Sequence, residues 1–146
     1  MLIGAVALMA ALVSAHAQST SQVVADIPFE FAVGGKLLKA GEYSVGGFTG
    51  TGATVLIRSW DSRGSAFRLT NAIQATNVPE KSKLVFHRYG QRYFLSEVWA
   101  PGQQTGRQLV KSAEERSVEK QLAAISSKSE LAQHSYETVE VIAMAR

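Results

Sequence analysis

From residue 27 to residue 33 the chain alternates, with Ile27, Phe29, Phe31 and Val33 separated by Pro28, Glu30 and Ala32. A period of two turns one face of a strand to a core and the other to water. Pro28 has no N–H for a ladder, so this segment is expected at a sheet edge or at a strand start. Gly34-Gly35 turns the chain into Leu37 to Val45, interrupted at Ala40-Gly41. Gly46 to Gly52 reads as a flexible connection. Val55 to Arg58 and Ala66 to Thr70 flank the turn-rich Asp61-Ser62-Arg63-Gly64, which predicts a hairpin.

The strongest local signal is KLVFHRYGQRYFLSEVW, residues 83–99. Gly90-Gln91 sits at its centre, and glycine first in a two-residue loop suits a tight hairpin turn. That loop sets a register: Tyr89 opposite Arg92, Arg88 opposite Tyr93, His87 opposite Phe94, Phe86 opposite Leu95 and Glu97 opposite Leu84. One face then carries Leu84, Phe86, Tyr93 and Leu95, the other Val85, Tyr89, Phe94 and Val98. Both faces are apolar, so both must be covered.

A helix is the expected cover. Ser112-Ala113-Glu114-Glu115 is a capping box with Ser112 as N-cap and Glu115 at N3. Val118, Leu122 and Ile125 follow at spacings of four and three, a narrow stripe that can lie across a sheet. Glu137 to Met144 returns to β-branched residues and reads as a last strand. The expected fold is an all-β small antiparallel sandwich or partly open barrel of six or seven strands. Its strands fall within 23–110, one C-terminal helix covers about 113–126, and a final strand covers about 136–144.

Composition separates two regions. Residues 18–110 hold 10 Lys+Arg against 6 Asp+Glu, while residues 111–146 hold 5 against 6 and contain no glycine or proline. The segment around Ser126 to Ser135 is polar enough to be expected mobile. Before all of this stands Leu2 to Val13, an uncharged apolar run followed by Ala15-His16-Ala17. A short apolar run before a small-x-small site is the signal-peptidase pattern, with cleavage expected after Ala17. Twelve helical residues reach only ~18 Å, short of a ~30 Å hydrocarbon core. No Lys or Arg precedes the run, so the amino terminus or residues upstream of Met1 must supply the positive charge. Residues 18–146 are then one exported domain, periplasmic or extracellular, with no further apolar run of membrane length.

The 146 residues include no cysteine. That excludes disulfides, thiolate nucleophiles, cysteine-ligated zinc, iron–sulfur clusters and a lipoprotein anchor. After the leader only His87 and His134 remain as imidazole bases. A triad of His87 with Asp61 or Glu97 and a serine has no G-x-S-x-G elbow to support it, and two distant histidines make a poor zinc site. The acids Asp26, Glu30, Glu42, Asp61, Glu80 and Glu97 give no reason to converge as a hydrolytic pair. The run GFTGTG (47–52) precedes a strand, where a phosphate loop requires a helix. No catalytic residue, metal or cofactor is therefore assigned. Arg58, Arg68, Arg88 and Arg92 lie among Trp60, Phe67, Tyr89 and Tyr93, a combination that can read single-stranded nucleic acid, anionic sugars or lipid headgroups, or that packs as cation–π pairs on a solvated surface.

Three segments, IPFEFAVGGKLLKAGEYSV (27–45), residues 83–99 and GRQLVKSAEERSVEKQLA (106–123), resemble a family of small exported β-rich proteins of Gram-negative bacteria whose function is uncharacterised. The resemblance implies a β-rich exported domain and brings no catalytic or ligand residue. The chain departs from the family pattern at Lys39 and Val110, where that pattern has proline, which loosens two turns.

The role expected from the sequence is a non-enzymatic envelope or extracellular binding or structural module. Its partner would be an envelope protein, an anionic polysaccharide or a second copy, ahead of nucleic acid in an exported protein. Tyr89, Arg92 and Phe94 form the expected partner-facing patch, with the aromatics as anchors and Arg92 as the polar orienter. The alternatives are a hydrolase of an envelope polymer and a subunit that assembles through free edges of its first and last strands.

Overall fold

The structure is a computed structural model and describes residues 22–47, 53–61, 63–125 and 136–145. The leader, His134, the segment 126–135 and most of the glycine run lie outside the described residues. The fold is mostly β with one helix, and its sheet does not close by hydrogen bonding.

The central hairpin joins β7 (Lys83–Tyr89) to β8 (Arg92–Trp99). Gly90 has φ 62°, the left-handed conformation that a tight hairpin loop demands of its glycine. The four pairs nearest the loop stand in the expected register. Beyond Phe86–Leu95 a β-bulge shifts the ladder by one residue, so Val85 faces Glu97 and Leu84 faces Val98. The expected Glu97–Leu84 pairing is thereby corrected. The slip sends Val98 to the core with Leu84, Phe86 and Leu95. It leaves Glu97 and Trp99 on the outer face, where they share a cleft with Val85 and His87.

The alternating segment 27–33 is not one strand. β1 (Val23–Ile27) ends before Pro28, and β2 (Phe31–Val33) begins beyond Glu30. β1 pairs with β4 (Gly41–Gly46), whereas β2 pairs in parallel with β8 and antiparallel with β3 (Lys36–Leu38). Proline marks the place where the chain leaves one part of the sheet for another. Ile27, Phe31 and Val33 still reach the core, and Phe29 stacks on Tyr93 with ring centroids 3.8 Å apart. Ala32, expected on the wet face, is buried.

β5 (Thr54–Ser59) and β6 (Ser65–Gln74) form the expected hairpin. β6 is ten residues long and serves two partners in turn. Its first half pairs with β5, its second with β9 (Thr105–Leu109). The chain makes a second such passage near its end. β10 (Glu137–Ile142) pairs with β7, and after the buried Ala143 the two-residue β11 (Met144–Ala145) pairs with β1. The Ala143 N–H donates to the Ser82 carbonyl at 2.8 Å. The sheet runs β10-β7-β8-β9-β6-β5-β4-β1-β11, so its two ends are consecutive strands. Strands that change partners in this way turn the corners of a wrapped sheet. β1 is therefore no edge, contrary to expectation, because β4 and β11 flank it. The expected six or seven strands become eleven through these breaks and short pieces.

Inside the wrap lie Val23, Ile27, Phe31, Val45, Val55, Ile57, Leu84, Phe86 and Val98, each less than 2 % exposed. Outside it, α1 (Ala113–Ile125) crosses the hairpin. The Ser112 Oγ accepts the Glu115 N–H at 3.1 Å, so the cap forms as expected. Val118 and Leu122 pack on Tyr89, Phe94 and Ala32 as a second, smaller core. Among the described residues no helix is long and apolar enough to cross a membrane.

Candidate functional site

Residues directly opposite in a ladder share a face, so the outer face of the hairpin can be read row by row. Tyr89 and Arg92 form the first row. Thr138, His87, Phe94 and Ala32 form the second. Glu140, Val85, Glu97 and Gln108 form the third. The helix covers the first two rows, and beyond its reach the third opens into a cleft.

The helix brings Glu115 with it. In a closed capping box this carboxylate would turn back to the N-cap. Here it reaches the sheet instead: Glu115 Oε1 lies 2.9 Å from His87 Nδ1 and accepts the Tyr89 hydroxyl at 3.0 Å. Glu115 and His87 are both buried. A carboxylate only accepts, so His87 donates through Nδ1. Tyr136 lies flat against the His87 ring, centroids 3.9 Å apart, and the Lys111 ammonium sits 5.7 Å from the Tyr136 ring centre. A buried acid is tolerated when it is hydrogen-bonded, and two donors from alternate positions of β7 converge on its Oε1.

The expected patch is therefore covered. Tyr89 and Phe94 are each 3 % exposed, because α1 lies across them with Val118, Leu122 and Glu115. Only Arg92 is reachable, and it is paired with Glu114 and lies 5.5 Å from the Phe94 ring centre. Nor do the arginines form one open basic face. Arg68 donates to the Val110 and Lys111 carbonyls, and Arg88 to the Gly90 carbonyl. The triad candidates separate as well. Asp61 accepts from Ser59 Oγ in the β5–β6 turn, and that bond, with the Arg63 N–H next, holds its carboxyl below the usual range. Glu97 shares the cleft with His87 but accepts the Trp99 indole N–H at 2.8 Å. Among the described residues no group of three or more acids and histidines gathers as a metal site.

The cleft itself has a volume of about 430 Å³, within the range of small-molecule sites. Its floor is Val85 and Glu97 of the third row with His87 and Trp99, and one wall comes from the chain between Gln74 and Pro79. Asn77, Tyr136, Thr138 and Glu140 complete it, with Lys83 paired to Glu140 at 3.0 Å. Trp99 can lie flat on the floor because β9 offers Gly106 beneath it, where a Cβ would stand 2.5 Å from the indole ring. Burial first, and the Glu115 carboxylate second, push the Tyr89 phenol above its ordinary value.

That shift has a pH signature. A phenol with a raised folded-state pKa stabilises fully below the unfolded value of about 10 and loses this contribution as pH rises further. Stability of the parent should fall between pH 9 and 11. Tyr89→Phe should cost about 1 kcal/mol at pH 7 and flatten the alkaline slope, leaving the part due to Tyr43, whose phenol is also raised by burial. Urea unfolding at both ends of this range measures it; an unchanged slope would sink the assignment.

Comparison with protein-family models, curated proteins and solved structures found no match for this chain.

Proposed function

We propose that this protein is an exported, non-enzymatic binding module that holds a neutral, hydroxyl-rich segment of an envelope polymer in the cleft beside α1. The observation that carries this reading is the chemistry of the lining. Amides, hydroxyls and carboxylates from Asn77, Thr138, Glu97 and Glu140 surround a floor walled by Trp99 and Tyr136. Such a mixture matches the alternating donors and acceptors of a saccharide. The acids in it disfavour a polyanion at this site. Binding is favoured over hydrolysis because both acids of the cleft are already engaged, Glu97 by the Trp99 indole N–H and Glu140 by Lys83, where glycoside hydrolysis needs one carboxyl as acid and one as nucleophile or base. Export is supported by the leader pattern of residues 1–17 and by the resemblance carried by the three segments.

Chitotetraose is a suitable neutral probe. Titration should shift the Trp99 indole N–H resonance, and Glu97→Gln combined with Asn77→Ala should weaken binding about tenfold, the equivalent of about 1.4 kcal/mol. Absence of binding, or a double variant that binds like the parent, overturns the proposal. Appearance of shorter oligosaccharides during the titration would make the hydrolase reading the better one.

A further inference from the structure

On the outer face of β5 and β6, away from the cleft, side chains stand in rows. Leu69 faces Thr54 and Phe67 faces Leu56, and beyond them Ser65 faces Arg58. Val110 adjoins the first row, its N–H donating to the Leu69 carbonyl at 3.0 Å. β4 adds Gly46 to the second row and Ser44 to the third, and β1 adds Val24 beside Ser44. One row further on, Glu42 faces Asp26. Successive rows on one face of a strand are ~7 Å apart. The residues between them, Val55, Ile57 and Ala66, are buried and already fill the core. Packing of the sheet therefore calls for no apolar side chain on this side.

Yet the first two rows are apolar and open. Phe67 is 72 % exposed and Leu69 62 %, and Leu56 and Val110 are exposed as well. Gly46 puts no side chain beside Leu56, and a Cβ there would meet nothing within 4 Å. Single exposed apolar residues are ordinary, whereas a contiguous group of them marks a contact surface. Charge begins in the third row. Arg58 is exposed, and among the described residues its guanidinium has no hydrogen-bond or ion-pair partner. The Lys36 ammonium joins that row, donating to the Ser65 carbonyl at 2.7 Å. The acids Asp26 and Glu42 stand in the fourth.

We propose that this face docks on an anionic lipid bilayer, with Leu69, Phe67 and Leu56 among the acyl chains and Arg58 and Lys36 at the headgroup phosphates. The order of the rows matches the profile of such a boundary. Apolar side chains come first, cations follow where phosphates lie, and the acids stand ~7 Å further out, in water. Three of the four open side chains, Leu56, Leu69 and Val110, are aliphatic and suit acyl chains, whereas sugars and bases are held by stacked rings. A second copy is the rival occupant. A two-fold axis through Phe67 would lay Arg58 of one copy over Leu69 of the other, which buries a guanidinium without an acid to pair it. The bilayer is therefore favoured. This surface shares no residue with the saccharide cleft and stands or falls separately from it.

The chain has no cysteine, so Phe67→Cys, Leu69→Cys and Glu42→Cys each create a single attachment point for a fluorophore that brightens in an apolar medium. All three positions are exposed, and the labelled full-length chains should keep the parent's unfolding midpoint. Vesicles of phosphatidylcholine with one quarter phosphatidylglycerol should brighten the labels at 67 and 69 severalfold and leave the label at 42 unchanged. Vesicles of phosphatidylcholine alone should need at least tenfold more lipid for the same signal. The response should weaken as sodium chloride rises from 50 to 500 mM, because exposed charges are screened. Arg58→Gln with Lys36→Gln should raise the lipid needed severalfold. Dark labels at 67 and 69, equal brightening by neutral vesicles, brightening at 42 to the same degree, or a charge variant that responds like the parent would each overturn the proposal. Brightening at 67 on raising protein concentration without vesicles would do so too, in favour of a second copy.

Discussion

Replacing Glu115 with alanine should lower the unfolding free energy by about 3–5 kcal/mol, the usual effect of removing one member of a buried, hydrogen-bonded ionic group. The mechanism is local. Without the carboxylate, His87 Nδ1 and the Tyr89 hydroxyl are left as buried donors beneath α1, and each unsatisfied group carries a penalty of about 1–3 kcal/mol. Among the described residues the helix has few other holds on the sheet: Val118 is buried, with Leu122 half-buried beside it. Loss should therefore appear first as local opening. Amide exchange along α1 should accelerate at denaturant concentrations where β7 and β8 remain protected. Glu115→Gln keeps one acceptor and should fall between alanine and the parent. A Glu115→Ala chain with the parent's midpoint and unchanged exchange would show that the pair does not hold the helix.

The second large effect is expected at Gly106. A side chain there meets the Trp99 ring at 2.5 to 2.7 Å, and Trp99 is only 6 % exposed. Overpacking of this kind costs about 1–3 kcal/mol, and the upper end is expected because the ring is enclosed by β9 and its own strand. Displacing the indole also disturbs its hydrogen bond to Glu97 on the cleft floor. Gly106→Ala should thus lower the thermal midpoint and weaken chitotetraose together. A variant that keeps both would mean that the floor of the cleft is softer than its packing implies.

The features legible in the sequence were those set by neighbours in the chain. The register around Gly90-Gln91 follows from a two-residue loop, and the helix start follows from Ser112. The bulge between Val85 and Phe86 left no such mark, since β-branched and polar residues continue through it unchanged. Its effect was to trade Val98 for Glu97 on the outer face, and so to create the acid in the cleft. The break after Ile27 was half visible in Pro28. That Ala32 becomes core required the helix to lie over β2, a long-range fact. The cover over Tyr89 and Phe94 has a readable source in the helix. Glu115, Val118 and Leu122 are spaced by three and four, so the N3 carboxylate lies on the apolar stripe and faces the sheet. Reading it only as half of a cap made the stripe look too narrow to hide Tyr89 and Phe94. Tyr136 could not have been placed, because its role depends on β10 docking beside β7.

The passage at Ala143 bears on the order of events during synthesis. Val23 pairs with Ala145 and Val24 with Met144, so an early strand waits for nearly the last residues described. A growing chain that has not yet reached residue 137 leaves β1 with one bare edge and β7 without β10. Folding cannot finish piecemeal behind the ribosome. Pairings between such remote parts of a chain also form slowly, on the order of milliseconds to seconds for β-rich domains. Residues 137–145 are thus the latch that commits the wrapped sheet to its shape, holding β7 through β10 and β1 through β11 in one stretch of chain.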